Sequence, residues 1–145
     1  MKIIVTVCIK EDGKLLMVQE AQKKAYKLWN LPGGNLNPEE NIFDGAIRET
    51  KEETGYDIEL ISLISVQNYV RKEETIMRIN FNAKVIGGNI DTDNEEVLDV
   101  KWIPINELEK MEKELRSPDS HMDIISDIKK NKEYPLDIIK NITQK

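Results

Sequence analysis

One segment, Pro38 to Thr54, constrains the fold more than any other, because its pattern predicts a helix with both ends marked. Asn37 can cap its start, and Pro38 sits in the first turn, where a missing N–H is harmless. Glu40 can reach back as the acid of a capping box, and Gly55 ends the helix. Phe43, Ala46, Ile47 and Thr50 recur at helical spacing and form the expected buried stripe. Glu49, Glu52 and Glu53 fall at i, i+3 and i+4, so they share another face about a third of a turn away.

Three carboxylates at that spacing repel one another and ionise poorly without a cation between them. On the helix alone, a solvated acidic face balanced by Arg48 and Lys51 is an equal reading. Clustered oxygen ligands suit Mg2+ or Mn2+ rather than Zn2+. The loop in front of the helix favours such a site: Gly33-Gly34 lets the backbone approach a metal or phosphate with no Cβ in the way.

Around this helix the chain reads as further strands and helices. Residues 2–9 and 15–19 are expected as strands joined through Asp12-Gly13, followed by a loop from Glu20 to Gly34. Residues 58–69 form a strand of mixed burial. In 75–85, Met77, Ile79, Phe81, Ala83 and Val85 alternate with Arg78, Asn80, Asn82 and Lys84. Val97 to Ile103 is a further strand. Asn106 and Ser117-Pro118 open two helices, and Tyr134-Pro135 separates a short terminal one. This order implies an α/β domain with a mixed sheet, since regular strand–helix alternation is absent. With 145 residues and no linker or repeat, one domain spanning 1–145 is expected.

Composition narrows the function. The formal net charge is −6 and the pI about 5.0, which argues against holding a nucleic-acid polymer through its phosphates. Lys and Arg total 21 against 27 acids, so neutralisation of a phosphate is expected to come mainly from bound metal. The first apolar run meets charges at Lys10, Glu11 and Asp12, too soon for a membrane span. Cys8 stands alone, which excludes an internal disulfide and marks a core residue. A cytoplasmic protein, monomer or homodimer, is the expectation.

The run Gly34-x5-Glu40-x7-Arg48-Glu49-Thr50-x-Glu52-Glu53-x-Gly55-Tyr56 resembles the signature of the Nudix (MutT-like) hydrolases at every charged and glycine position. Leu28-Trp29-Asn30-Leu31-Pro32-Gly33-Gly34 resembles that family's lead-in. Thr50 and Tyr56 stand where the family usually has aliphatic residues. The resemblance implies a Nudix-type α/β/α sandwich with a mixed sheet. It implies Glu49, Glu52 and Glu53 as metal ligands, helped by the Gly33 carbonyl, with Arg48 orienting Glu49 and Glu40 tying loop to helix. It also implies Mg2+- or Mn2+-dependent attack of water on a phosphoanhydride, the metal neutralising phosphate oxygens.

Several relatives carry a further carboxylate near the segment before the last strand. Glu96 is the expected base, with Glu95 in reserve. Tyr26, Trp29 and Tyr69 are candidates to stack on a ring, although each can equally be core. Arg71, Lys72 and Arg78 could meet phosphates, while charges on an outward strand face are ordinarily solvated. His121 is expected to be solvated or half-packed. Leu115-Arg116-Ser117-Pro118 and Tyr134-Pro135-Leu136 resemble the NudJ-type phosphatases of the family, which release orthophosphate from nucleoside di- and triphosphates. The alternatives are an ADP-ribose or dinucleoside polyphosphate pyrophosphatase, or a non-catalytic module that senses a nucleotide.

Overall fold

In the computed structural model, residues 1–144 are described. Strands β1 (Lys2–Glu11) and β2 (Lys14–Glu20) form the expected hairpin, with Asp12 and Gly13 at φ 50° and 74°. Positive φ at both central residues gives a two-residue turn whose twist matches that of the strands. Strands β5 (Tyr56–Arg71) and β6 (Glu74–Gly88) make a long antiparallel hairpin. β6 lies parallel to β1, from Lys2↔Ile76 to Ile9↔Ala83, and β7 (Val97–Pro104) runs antiparallel to β2.

Two short strands occupy the segment expected to be loop. β3 (Trp29–Asn30) pairs with β2, and β4 (Gly33–Asn35) pairs with β1 at Thr6↔Gly33 and Ile4↔Asn35. At two and three residues they carry no readable period; the neighbouring strands create them. The sheet is therefore mixed, as expected.

Both faces of the sheet are covered. On one, Val5, Val7, Ile79 and Phe81 meet helix α1 (Ile42–Thr54), where Phe43 and Phe81 pack edge-to-face at 5.7 Å. On the other, Cys8, Met17 and Ile64 meet Ile124, Ile125 and Ile128 of helix α3 (Pro118–Lys129). Helix, sheet and helix form the α/β/α arrangement. Burial pushes the Cys8 thiol up to about 12, consistent with an inert core residue.

Helix α1 differs in detail from expectation. Its cap is Asn41, whose side chain accepts from Asp44 N–H at 2.9 Å, not Asn37. Pro38 to Glu40 form a turn before it, because Glu39 adopts φ 66°, which a helix cannot contain. Ile47 is 39% exposed, whereas Gly45, Ala46, Thr50, Glu53 and Thr54 are buried. The sheet selects a face centred nearer the acidic one, so Glu53 lies on the buried side. Thr50 and Thr54 satisfy their buried hydroxyls on Ala46 O and Thr50 O, at 2.9 and 2.7 Å. Gly55 closes the helix at φ 86°, as expected.

After β7 comes a single helical turn, α2 (Ile105–Leu108), where Asn106 was expected to open a helix; it begins one residue earlier, after Pro104. The terminal helix reduces to a 3-10 turn, Leu136–Ile138, because Tyr134 hydrogen-bonds Leu63 through both backbone groups. Among the described residues, no helix is long and apolar enough to cross a membrane.

Candidate active site

A cleft of about 490 Å³ opens beside β4, over one face of β1 and β6 and up to the start of α3. Its floor follows from register: Ile4↔Arg78 and Lys2↔Ile76 are parallel partners and point to the same side. Glu49 and Glu53 enter from α1, Glu20 from the end of β2 and Glu96 from the segment before β7.

Glycine makes this wall possible. Gly33 has φ 153°, and a Cβ there would lie 2.0 Å from Val5 O. A Cβ on Gly34 would fall 2.7–2.8 Å from the carboxylate of Glu49. The bare backbone lets β4 approach β1 and leaves the space that the Glu49 carboxylate fills. Gly33 N–H donates to Glu53 Oε1 at 2.7 Å.

Arg48 organises the outer side. Its guanidinium forms a two-bond fork on Glu40, at 2.7 and 2.9 Å. It also reaches Asn35 O at 3.2 Å, with Nη1 lying 3.1 Å from both Glu49 Oε1 and Glu52 Oε2. Hydrogen bonding from Arg48 holds the Glu40 carboxyl below its ordinary range. Glu40 also accepts from Asn37 N–H at 3.1 Å, so it does reach back, although not to the helix cap.

The cleft carboxylates behave differently. Burial raises Glu49; Arg48 opposes the shift, while Glu52 and Glu96 add to it by repulsion. Burial pushes Glu53 well above its usual value, with the Gly33 bond opposing and Glu49, Glu20 and Glu96 reinforcing. Glu52 does not line the cleft; its side chain is 55% exposed and rests on Arg48. Among the described residues, no three His, Cys, Asp or Glu side chains stand close enough to share one ion as they lie. The donor set nevertheless fits a hard divalent cation: it is all oxygen, and the crowded Glu49 and Glu53 resist ionising together unless positive charge arrives.

Other expected residues are divided. Trp29 is 8% exposed and belongs to the core beneath α3, so it offers no stacking face to the cleft. Tyr26 is 55% exposed outside the cleft, with Lys27 against its ring. Arg71 and Arg78 do line the cleft. Arg78 is only 8% exposed, contrary to an outward solvated face, because α3 covers that side of β6. Glu95 is exposed, and of the neighbouring pair only Glu96 lines the cleft.

Sequence reasoning missed Glu20, Asn30, Arg116 and the placement of His121. Glu20 is buried and accepts from Asn30 Nδ2 at 3.0 Å and Arg116 Nη1 at 3.3 Å. His121 is buried, not solvated. Its Nδ1 lies 3.1 Å from Ser117 O, its Nε2 2.9 Å from Asn30 Oδ1, and Leu31 N–H donates to Nε2 at 3.3 Å. The Arg116–Glu20 and His121 contacts with Asn30 and Leu31 span 90 to 96 positions of sequence, so no local pattern announces them; Asn30 and Arg116 were visible only inside motifs.

The NUDIX domain model matches residues 2–123. The chain is 32% identical over 105 residues to the 8-oxo-dGDP phosphatase NUDT18 of Mus musculus, covering 70% of this chain and 32% of that protein. It is 35% identical over 103 residues to nucleoside diphosphate-linked moiety X motif 6 of Homo sapiens, covering 68% of this chain and 32% of that one. The chain thus spans about a third of the length of these curated relatives. A Nudix hydrolase structure from Nitrosomonas europaea superposes with TM-score 0.88 at 28% identity, covering 97% of both chains. Signature, fold and family model agree: the chain belongs to the Nudix family.

Proposed function

We propose that the chain, as a single Nudix domain over residues 1–145, is a hydrolase of phosphoanhydride bonds in nucleoside di- or triphosphates or related small diphosphates, dependent on Mg2+ or Mn2+. The observation that carries this reading is the wall formed by Glu49 and Glu53 against Gly33 and Gly34, with Glu96 facing it. The name of the mouse relative, a phosphatase of a nucleoside diphosphate, supports the substrate class and the NudJ-type release of orthophosphate. The sequence's lone, buried cysteine and acidic composition fit a cytoplasmic enzyme acting on a small molecule.

Glu49 and Glu53 would hold the metal, with Glu52 joining from the rim and the Gly33 carbonyl assisting. Bound there, the metal would neutralise phosphate oxygens and acidify water. The Gly33 N–H fixes one oxygen of Glu53, leaving the other for the cleft. Arg48, anchored on Glu40, keeps Glu49 and Glu52 from drifting together. Glu96 takes the proton as a water oxygen attacks phosphorus; the bridging P–O bond breaks and its electron pair leaves with the departing phosphate. Arg71 and Arg78 contact the substrate's phosphates.

A phosphate-release screen over nucleotides and diphosphate metabolites, with and without added pyrophosphatase, tests the reading. Orthophosphate released directly in Mg2+, and lost on chelation, is the expected result. Nucleotide binding without turnover would instead select the sensing module. A preference for ADP-ribose or a dinucleoside polyphosphate by a hundredfold in kcat/KM, about 2.7 kcal/mol of discrimination, would select the pyrophosphatase reading.

A further inference from the structure

Arg78 is buried to all but 8%, yet among the described residues it has no carboxylate within 4 Å and one hydrogen-bond partner, Ser120 Oγ, at 2.9 Å. A guanidinium carries five N–H donors and a permanent charge, so one hydroxyl leaves its other donors to the solvent of the cleft. A buried charge without a counter-ion is among the more expensive arrangements a protein keeps. Supporting Ser120 alone would not require it, since a neutral amide could donate to that hydroxyl. The neighbouring charges make matters worse. Arg116 and Arg71 both act on Arg78 by repulsion, which adds to burial in weakening its hold on the proton.

Those neighbours line the same cleft. Arg116 projects from the segment before α3 and, among the described residues, bridges only to Glu20, at 3.3 Å. Arg71 ends β5, with its guanidinium 5.1 Å from the Tyr69 ring centre. Lys2 and Lys24 lie on the rim. Despite the chain's net charge of −6, the cleft therefore carries these basic side chains alongside its carboxylates. Arg78 is also held in place: Ser120 Oγ donates to Gln67 Oε1 at 2.7 Å, and Gln67 is fixed by Asn80 Nδ2 at 3.2 Å. A preorganised, undercompensated guanidinium inside a cleft is a receptor for an anion.

We propose that Arg78, Arg71 and Arg116 form an anion-recognition pole that binds the substrate's terminal phosphate, so that the cleft selects substrates ending in a free phosphate over those capped by a neutral sugar. This deepens the proposed hydrolase reading and rests on it for the identity of the reacting bond, but not for the binding of the anion itself. Arg116 adds a specificity determinant beyond Arg71 and Arg78. Its bridge to Glu20 also couples the pole to the buried carboxylate that acts on Glu53.

The test compares GTP with ADP-ribose in Mg2+, using wild-type protein, Arg78→Gln and the exposed variant Arg71→Gln. The expected result is a fall in kcat/KM for GTP of at least thirtyfold in Arg78→Gln and about tenfold in Arg71→Gln, carried mainly by KM, as lost charge-assisted bonds to phosphate imply. ADP-ribose turnover should fall several-fold less than GTP turnover in either. Equal losses on both substrates, or none on GTP, would overturn the proposal. Metal-free protein titrated with inorganic tripolyphosphate gives a second readout. Binding should weaken with salt and in both variants; binding unchanged by Arg71→Gln would overturn the proposal even where Arg78→Gln does not fold. A wild-type protein that cleaves neither nucleotide but binds tripolyphosphate through these arginines would defeat the hydrolase reading and leave the pole standing.

Discussion

The amide of Gly33 holds Glu53 Oε1 at 2.7 Å, joining the strand beside β1 to the buried carboxylate of α1. This bond offsets part of the penalty that burial imposes on the ionised acid and points its second oxygen toward the cleft. Glu53→Gln keeps the shape but removes the charge, so Mn2+ affinity should fall by at least the roughly 10–100-fold that loss of even an outer partner causes. Titration calorimetry or Mn2+ relaxation checks this, and unchanged affinity would remove Glu53 from the metal site. Gly33→Ala attacks the same junction from the backbone. Strain at φ 153° of about 1–3 kcal/mol, together with the collision at Val5 O, should lower the denaturation midpoint clearly.

Glu96 and Glu95 are neighbours with different surroundings. Both are exposed, but Glu96 lines the cleft and repels both Glu49 and Glu53, while Glu95 does not line it. Glu96→Gln should lower kcat by about 100- to 10,000-fold, the usual worth of a general base, with the fold and most metal binding retained. Glu95→Gln should remain near wild type. The reverse order in single-turnover rates would exchange the two assignments.

What was legible in the sequence follows the range of the interactions involved. The hairpin at Asp12-Gly13, the strands of β5 and β6, α1 and its closing Gly55 are set by periodicity and turn chemistry within a few residues, and they were readable. The start of α1 was misplaced because Asn37 and Asn41 both suit a cap; only the turn at Glu39 decides for Asn41. Strand alternation correctly grouped Arg78 with Asn80 and Asn82 on one face. Alternation cannot say what covers that face, and α3 arrives from forty positions later to bury Arg78 and Asn80. Glu20, Asn30 and His121 met only in three dimensions, as did the cationic pole.

Arg48 presents a different balance, being partly exposed and shared by several acids. Its fork on Glu40 demands a planar guanidinium, so Arg48→Lys should lose one of the two bonds and also the reach to Asn35 O. The stability loss should stay near 1 kcal/mol, since a solvent-screened pair is worth little more. Activity should suffer more than stability, because Glu49 and Glu52 lose their common anchor. A double-mutant cycle with Glu40→Gln separates the two effects: coupling in kcat absent from the urea midpoint would assign Arg48 a positioning role.

The buried imidazole of His121 gives the fold a specific acid sensitivity. Burial is the largest cause of its depressed value, about 4; Arg78 and Arg116 add to it, and the Ser117 and Arg116 backbone bonds oppose it. The unfolded chain binds this proton near pH 6.5, the folded one only near 4. Between those values the unfolded state holds more protons, so the contribution is complete above about pH 6.5 and is lost as pH falls toward 4. From pH 7.5 to 5 the loss from this group should reach about 2 kcal/mol. Glu40, held low by Arg48, adds to the loss in more acid solution, whereas the raised Glu53 works against it; the wild-type curve alone is therefore a sum. Subtracting the curve of His121→Gln, a side chain that still meets Asn30 and Leu31 but does not titrate, isolates the imidazole. The stabilities of the two proteins from urea titrations at pH 7.5 and 5 should converge by that amount, and parallel curves would show that His121 takes up its proton alike in both states.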